Sequence, residues 1–495
     1  MLVESRCNRE VVLSVPRTGI SLIFVPFIPK YLSFDGSSFS FLNLKKSFGP
    51  VSTEVNWNFG NYGKLWAYNL NYFDFLLQSE MDREIGLCLI DGFISGLQKG
   101  SVGLEPYPIS LRGINWIKFL SLHHLRREDI DASLYAQYLM LNRNLEYHLL
   151  GNHLLENAFS LLFGACYFQE KSWFAKSCTL LQVELHEQVL DDGAHFELSP
   201  MYHQIILDRL FDCCNLLMHN QCFAGQAELL AFLREKAVAM IGWLKTVTFA
   251  DGSIPHLNDA TDGIAPLSHE LFGYASRLGV DCRFGHFSKL RESGYRKFVA
   301  KNYECIVDIG HIGPDYIPGH AHADTLNFVL HVRGKPFLVD TGISTYQKDA
   351  VRDQERGSAA HNTVVVNGEN SSDVWGGFRV GRRARVKVLE NTDATVAAEH
   401  DGYIRFGVVH QREWRFETRR VVVHDIMRGR LMKVTAYFHF DHQLMPEVVG
   451  HSVHIGGKVI SFVGAERVEL TGYRQTLGFN RTIEAMCVIV HFREK

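Results

Sequence analysis

Hydrophobic residues change their spacing once along this chain, and that change divides it. From about residue 76 to residue 290, apolar positions recur at intervals of three and four, the spacing that collects them on one side of a helix. Helices are expected over 111–125, 131–149, 152–169, 171–189, 200–219 and 227–247, in pairs separated by polar or Gly/Pro joints. These helices are apolar on more than one side, which suits helical hairpins packed side by side into an α/α toroid. A solenoid is the competing arrangement, but the chain has no fixed-period repeat. From Glu304 onward β-branched and aromatic residues alternate with polar ones, with strands expected at 326–332, 336–339, 363–366, 385–389, 413–423, 432–440 and 487–492. Such alternation predicts an antiparallel β-sandwich. Helices first and strands after make an α+β chain of two domains. An irregular lead-in is expected over 1–55, an incomplete toroid over 56–298 and the sandwich over 299–495.

Composition bounds the picture without changing it. A chain of 495 residues, 46% hydrophobic and 21% charged, is long enough for two cores and too apolar for wholesale disorder. The formal charge of −3 offers no global attraction for nucleic acid or an anionic membrane, so neither is an expected partner. A polyanion would need a local basic groove. The ten cysteines form no C-x-x-C pair and read as reduced core residues, which favours a reducing compartment. The apolar run 20–29 is short, is interrupted by Pro26 and lacks a small-residue cleavage pattern. It is expected to be a strand or buried segment and not a signal peptide. A cytoplasmic location follows as the expectation, with periplasmic or secreted delivery by another route left open.

The candidate chemistry centres on 310–361. His320-Ala321-His322 leads into the strand expected at 326–332, and residues two apart in an extended chain face the same way. Asp340 ends the next short strand, and His361 directly precedes another. His322, Asp340 and His361 have the composition of a divalent-metal site, which leaves His320 available for proton transfer. With 24 histidines in the chain, an isolated H-x-H would be a weak signal. Upstream, Ser199-Pro200 reads as the cap and first residue of a helix. Tyr202 then falls in the first turn, where exposed N–H groups favour a phenolate and lower a pKa that starts near about 10. Asn152 and His153 open another helix, with Glu156 one turn on and able to orient either side chain. Capping by Asn152 is the structural alternative. The aromatic-rich stretch 56–75 holds Trp57, Trp66, Tyr68 and Tyr72, which either pack a core or line a sugar cleft. Asn258-Asp-Ala-Thr-Asp-Gly reads as a turn whose acids are structural.

Several words raise these signals together. They are L-W-A-Y-N-L-N-Y-F-D at 65–74, N-H-L-L-E-N at 152–157 and D-G-A-H-F-E-L-S-P-M-Y-H at 192–203. P-G-H-A-H-A-D at 318–324, F-L-V-D-T-G at 337–342 and A-H-N-T-V at 360–364 follow in the same order. Over about residues 40–390 the chain resembles the heparinase II/III family of polysaccharide lyases. The resemblance implies cleavage of an acidic, uronate-containing polysaccharide by β-elimination, with glycosaminoglycans such as heparan sulfate, chondroitin or hyaluronan foremost. It implies Tyr202 as the proton-transfer residue, with Asn152 and His153 on the uronate carboxylate and Glu156 behind them. His320 would serve a second C5 epimer or support the phenolate, with His195, Glu197 and His203 as a supporting layer. Arg112, Arg356 and Arg379, with Trp66 and Tyr68, are the expected substrate contacts, and Arg352, Arg382 and Arg383 add charge. One divalent ion, zinc or manganese with calcium arguable, would be held by His322, Asp340 and His361 and would organise the strands. The alternatives are a lyase acting on a bacterial exopolysaccharide or alginate, and a glycan-binding or assembly protein without catalysis. A hydrolase would need a carboxylate pair, for which Glu156 and Glu197 are the one attractive choice.

Overall fold

The computed structural model describes residues 18–49, 55–97, 102–280, 292–430 and 433–492. Its described residues pack as two units. One lies within Met1–Phe41, Lys45–Val183 and Cys213–Leu230, and the other within Leu42–Leu44, Glu184–Asp212 and Ala231–Lys495.

The first unit is helical, and its periodicity explains why. The helix Pro106–Leu122 starts on proline, whose missing N–H costs nothing in a first turn, and it is buried on nearly every side. Gly151–Phe168 is similarly enclosed. The ring of Tyr138, on the helix Glu128–Arg143, stands where a side chain at Gly113 or Gly164 would have to go, within 2.6 and 2.5 Å of the missing Cβ atoms. Glycine at those two points lets three helices close on one tyrosine. Observed helices at Lys171–Gln188, Pro200–His219 and Gln226–Val247, whose residues are divided between the two units, lie within two residues of the expected spans.

The second unit carries the sheets. After the helix Ser268–Arg277, strands Tyr295–Ala300, Tyr303–Asp308, Phe328–Val332 and Lys335–Leu338 form an antiparallel sheet in that order. A second sheet orders Ala465–Thr476, Thr482–Phe492, Val434–His439 and Val364–Val366, and a third runs Val386–Asn391, Thr395–His400, Val408–Phe416 and Val421–Gly429. Phe328, Phe337, Val364, Val396, Trp414, Phe438 and Val488 from these sheets share one apolar core, as alternating strands buried on one face require.

Two expectations need correction. The strand expected at 413–423 is two strands joined by a turn at 417–420, where Glu417 N–H donates to the Arg420 carbonyl at 3.0 Å. The run Glu-Thr-Arg-Arg, polar throughout, marked that turn. The lead-in is not wholly irregular, since it contains the strands Ser38–Phe41 and Leu44–Ser47. Of the two readings offered for 20–29, no strand forms, and the segment buries Leu22 and Ile28. Five of the eight described cysteines are buried, while Cys7 and Cys282 lie outside the described residues. No helix among the described residues is long and apolar enough to cross a membrane.

Candidate active site

Two left-handed backbone positions shape the site in the second unit. Leu198 has φ 56 and Asn258 has φ 56, conformations that a branched side chain rarely adopts and that persist only where neighbours enforce them. Here the Leu198 carbonyl accepts from the Tyr295 hydroxyl at 2.6 Å and from Asn258 Nδ2 at 3.1 Å. The Ser199 hydroxyl donates to the Asp259 carbonyl at 2.6 Å and also accepts from the Tyr202 N–H at 3.3 Å. Ser199 therefore caps the helix Pro200–His219 as its sequence suggests, and it ties that cap to the turn at 258–259.

Asp259, read from the sequence as a structural turn residue, is the centre of the cluster. Its carboxylate is fully buried and meets four N–H groups. Oδ1 faces His322 Nε2 at 2.8 Å and Arg352 Nη1 at 2.5 Å, and Oδ2 faces His320 Nδ1 at 2.8 Å and Arg352 Nη2 at 2.7 Å. Although burial alone would raise it, Arg352 and the two histidines hold this carboxyl well below the usual range. His320 and His322 do converge on one group, but from a loop, because the strand begins only at Phe328.

The ring of Tyr202 lies against that of His320, with centroids 4.1 Å apart, and its hydroxyl is 3.0 Å from the Tyr346 hydroxyl. Both tyrosines keep part of their surface open. The pKa lowering expected for Tyr202 is reversed. Burial first, then Tyr346 and the carboxylates of Asp259 and Glu197, push the phenol well above its ordinary value. The start of the helix is too weak a positive pole to outweigh them. Glu197 approaches His320 Nε2 at 3.9 Å. His195 and His203 form a neutral, buried support: His203 Nε2 donates to the Met240 carbonyl at 2.9 Å while its Nδ1 accepts from the His195 N–H at 3.2 Å. Burial lowers them to about 4 and about 3 respectively.

The expected metal residues are close together but not arranged as a cage. Among the described residues no three His, Cys, Asp or Glu side chains converge as a ready cation site. The rings of His322 and His361 are 5.3 Å apart. His322 Nδ1 and His361 Nε2 are both buried without a hydrogen-bond partner among the described residues. The Asp340 carboxylate is engaged: Oδ2 faces His361 Nδ1 at 2.7 Å and accepts from Asn327 at 2.6 Å, and Oδ1 accepts from the Gly342 N–H at 3.2 Å. Two imidazole nitrogens thus suit a borderline metal, whereas the carboxylate as placed orients His361.

In the first unit, the helix Gly151–Phe168 is capped at Leu150, so Asn152 lies inside the first turn and not at the cap. His153 Nδ1 meets Glu146 Oε1 at 3.2 Å, and Asn157 fixes Glu146 through its side-chain N–H at 3.0 Å. The His153 ring also packs on Tyr107 at 4.6 Å. Glu156 is enclosed within the same helix. Tyr68 stays half-buried beneath the Lys64 ammonium, 4.9 Å from its ring.

Direct substrate contact, expected for Arg112, Trp66 and Arg356, does not fit their surroundings. Arg112 is fully buried, with its guanidinium donating to Gln137, the Asn71 carbonyl and the Gly103 carbonyl at 2.7, 2.9 and 2.9 Å. Trp66 is fully buried among Phe41, Phe59 and Tyr62. Arg356 is buried under the His-Ala-His loop and donates to the Ala321 carbonyl at 2.8 Å. Arg379 alone of these arginines is exposed. The residues that the sequence did not single out are Asp259, Tyr346 and Glu146. Asp259 left one faint signal, a carboxylate in a turn with apolar Leu257 and Ala260 on either side.

Comparison with known proteins places this geometry in context. A model of the heparinase II/III N-terminus matches residues 113–275, and one of the heparinase II/III-like C-terminal region matches residues 285–478. The chain is similar to a heparin-sulfate lyase of Bacteroides stercoris, 25% identical over 248 residues, covering 45% of this chain and 37% of that one. It is also similar to a heparin-sulfate lyase of Pedobacter heparinus, 24% identical over 280 residues, covering 51% and 40%. The matched stretch spans well under half the length of either relative. The solved structure of a heparinase III gene product superposes with a TM-score of 0.65 at 16% identity, over 91% of this chain and 80% of that one. At that identity the likeness is one of fold: a helical toroid followed by antiparallel sheets.

Proposed function

Because the chain belongs to the heparinase II/III-like family, we propose that it is a polysaccharide lyase. Its substrate is a uronate-containing acidic glycan of the glycosaminoglycan type, with heparan sulfate first in view of the names its relatives carry. The observation that supports this most is the Tyr202–His320 ring contact at 4.1 Å, with His320 Nδ1 on Asp259.

In β-elimination a base takes the C5 proton and the C5 electron pair forms a C4=C5 double bond. The C4–O4 bond breaks, and the leaving O4 takes up a proton. The neighbouring carboxylate must be neutralised for C5 to become acidic. The family resemblance assigns that task to Asn152 and His153. His153 has its Nδ1 on Glu146 Oε1 at 3.2 Å, which makes Nε2 the nitrogen for such a contact. Asp259 accepts from His320 Nδ1, so Nε2 carries the lone pair that receives the C5 proton. Tyr202, kept neutral by its surroundings, donates to O4. Tyr202 acting alone as base and then acid would require a phenolate that burial and nearby carboxylates disfavour. Exposed Arg379 and half-buried Tyr68 are the remaining candidates for gripping the polymer.

A single divalent ion, zinc or manganese, belongs to the same reading. His322 and His361 would hold it through their unpartnered nitrogens, with Asp340 as orienter or third donor, and bound there it would brace the segment that carries His320. Metal content of the purified protein tests this. About one equivalent that disappears in a His322→Ala, His361→Ala double variant supports the ion, and none in the parent protein removes it.

The function itself is tested by ultraviolet absorbance with hyaluronan, chondroitin sulfates, heparan sulfate, heparin and alginate. Growth of the 4,5-unsaturated uronate signal is the expected result, fastest on heparan sulfate. New reducing ends without that signal would mean hydrolysis. Binding without cleavage would favour a glycan-binding protein, and cleavage of alginate alone would move the substrate to exopolysaccharides.

A further inference from the structure

One carboxylate outside the family-like words meets both histidines of the His-Ala-His loop, and the proposed chemistry uses only its contact with His320. Asp259 has two oxygens with about four acceptor positions between them, and four N–H groups already occupy them: one from His320, one from His322 and two from Arg352. It has no capacity left for a ligand, so its role must run through its partners. The backbone fixes it from three sides. Its N–H donates to the His320 carbonyl at 3.0 Å, Ser199 donates to its carbonyl at 2.6 Å, and the His322 N–H donates to Asn258 Oδ1 at 3.1 Å. Arg352 also donates through Nε to the Gly377 carbonyl at 3.0 Å, so the fork on Asp259 cannot swing away without breaking a third bond.

An ionised carboxylate accepts and cannot donate, so whichever ring nitrogen faces it must carry the proton. The two histidines face it through different atoms. We infer that Asp259 is a positioning residue that sets opposite tautomers in the two histidines of the His-Ala-His loop, Nδ1–H in His320 and Nε2–H in His322. His320 then presents a lone pair at Nε2, the nitrogen nearer Glu197. His322 presents one at Nδ1, the buried atom without a partner, in the ring beside His361. Arg352 neutralises the carboxylate and, by bridging both oxygens, keeps the two histidine-facing edges apart. The kinetic part of this inference rests on the lyase reading; the tautomers do not.

The experiment combines selective ¹⁵N-histidine labelling with a long-range proton–nitrogen correlation on the full chain, using single His→Gln variants for assignment. The expected spectrum shows His320 protonated at Nδ1 and bare at Nε2, with His322 the reverse. The same nitrogen protonated in both rings, or the opposite pattern, overturns the inference. Asp259→Asn is the informative variant, because an amide offers oxygen on one edge and N–H on the other, so at least one ring must invert. With substrate, kcat should fall by about 10²-fold or more while KM stays within about threefold; a comparable carboxylate-to-amide change in a Ser-His-Asp triad costs ~10⁴. Both tautomers retained with kcat nearly unchanged would also overturn it. If Asp259→Asn fails to fold, the parent spectrum still decides. A parent protein that shows the expected tautomers but forms no unsaturated uronate would sink the lyase reading and leave this one standing. An active lyase with other tautomers would do the opposite.

Discussion

Tyr202→Phe is expected to lower the rate of unsaturated-uronate formation by roughly 10²–10⁴-fold, the usual contribution of a positioned proton-transfer group. The substitution removes one oxygen and keeps the ring that packs on His320 at 4.1 Å. Glycan affinity should therefore stay within about threefold of the parent, because the ring face is retained and the lost hydroxyl faces Tyr346. Tyr346 loses its partner at 3.0 Å, which costs stability on the order of 1 kcal/mol and not the fold. Initial rates by ultraviolet absorbance, paired with calorimetric binding of a size-defined oligosaccharide, separate the two effects. A variant as fast as the parent would remove Tyr202 from the chemistry. One that loses rate and affinity together would make it a binding residue.

The second large effect is on stability, and it reaches the site from below. Arg412 is fully buried on the strand Val408–Phe416, directly opposite Asp425 on Val421–Gly429. Its Nε and Nη2 donate to the Asp425 carboxylate at 2.7 and 3.0 Å, and Nη1 donates to the Leu326 and Asn362 carbonyls at 2.9 and 2.7 Å. Those carbonyls belong to the segments next to the His-Ala-His loop and His361, so one guanidinium joins a cross-strand ion pair to the floor of the site. Arg412→Met leaves the carboxylate with only His410 Nε2 at 2.7 Å and two carbonyls without their donor, and the loss expected for breaking such a pair is about 3–5 kcal/mol. The urea midpoint should fall at unchanged slope. Adding Asp425→Leu should recover much of it, since replacing both partners is far less costly than orphaning one. A midpoint shift worth under about 1 kcal/mol would show that the pair is not what holds these segments.

Much of the architecture was legible in the chain because its causes are local. A helix periodicity needs only neighbours three and four apart, so the spans at 152–169, 200–219 and 227–247 fall within two residues of the observed helices. A cap needs only Ser199 followed by Pro200. The strand expected at 413–423 went wrong where one apolar alternation ran across a four-residue polar turn. Alternation carries no information on where a chain reverses unless the turn residues are weighed against it.

What the sequence determined by itself was therefore the order of helices and strands, the start of the Tyr202 helix and the identity of the histidine-bearing words. Tertiary structure alone decided what those residues meet. Asp259 stands 61 residues before His320 and Tyr346 stands 144 after Tyr202, and no local pattern encodes contacts at such separations. Burial was equally invisible. Arg112 and Arg356 read as free cations, yet each lies in a fully enclosed position where backbone carbonyls take its N–H groups. Burial of much of its ring, with Tyr346 and two carboxylates nearby, turned the expected shift of Tyr202 upward. A pKa follows the dielectric and charges around a group, and these are set by folding and not by position in the chain.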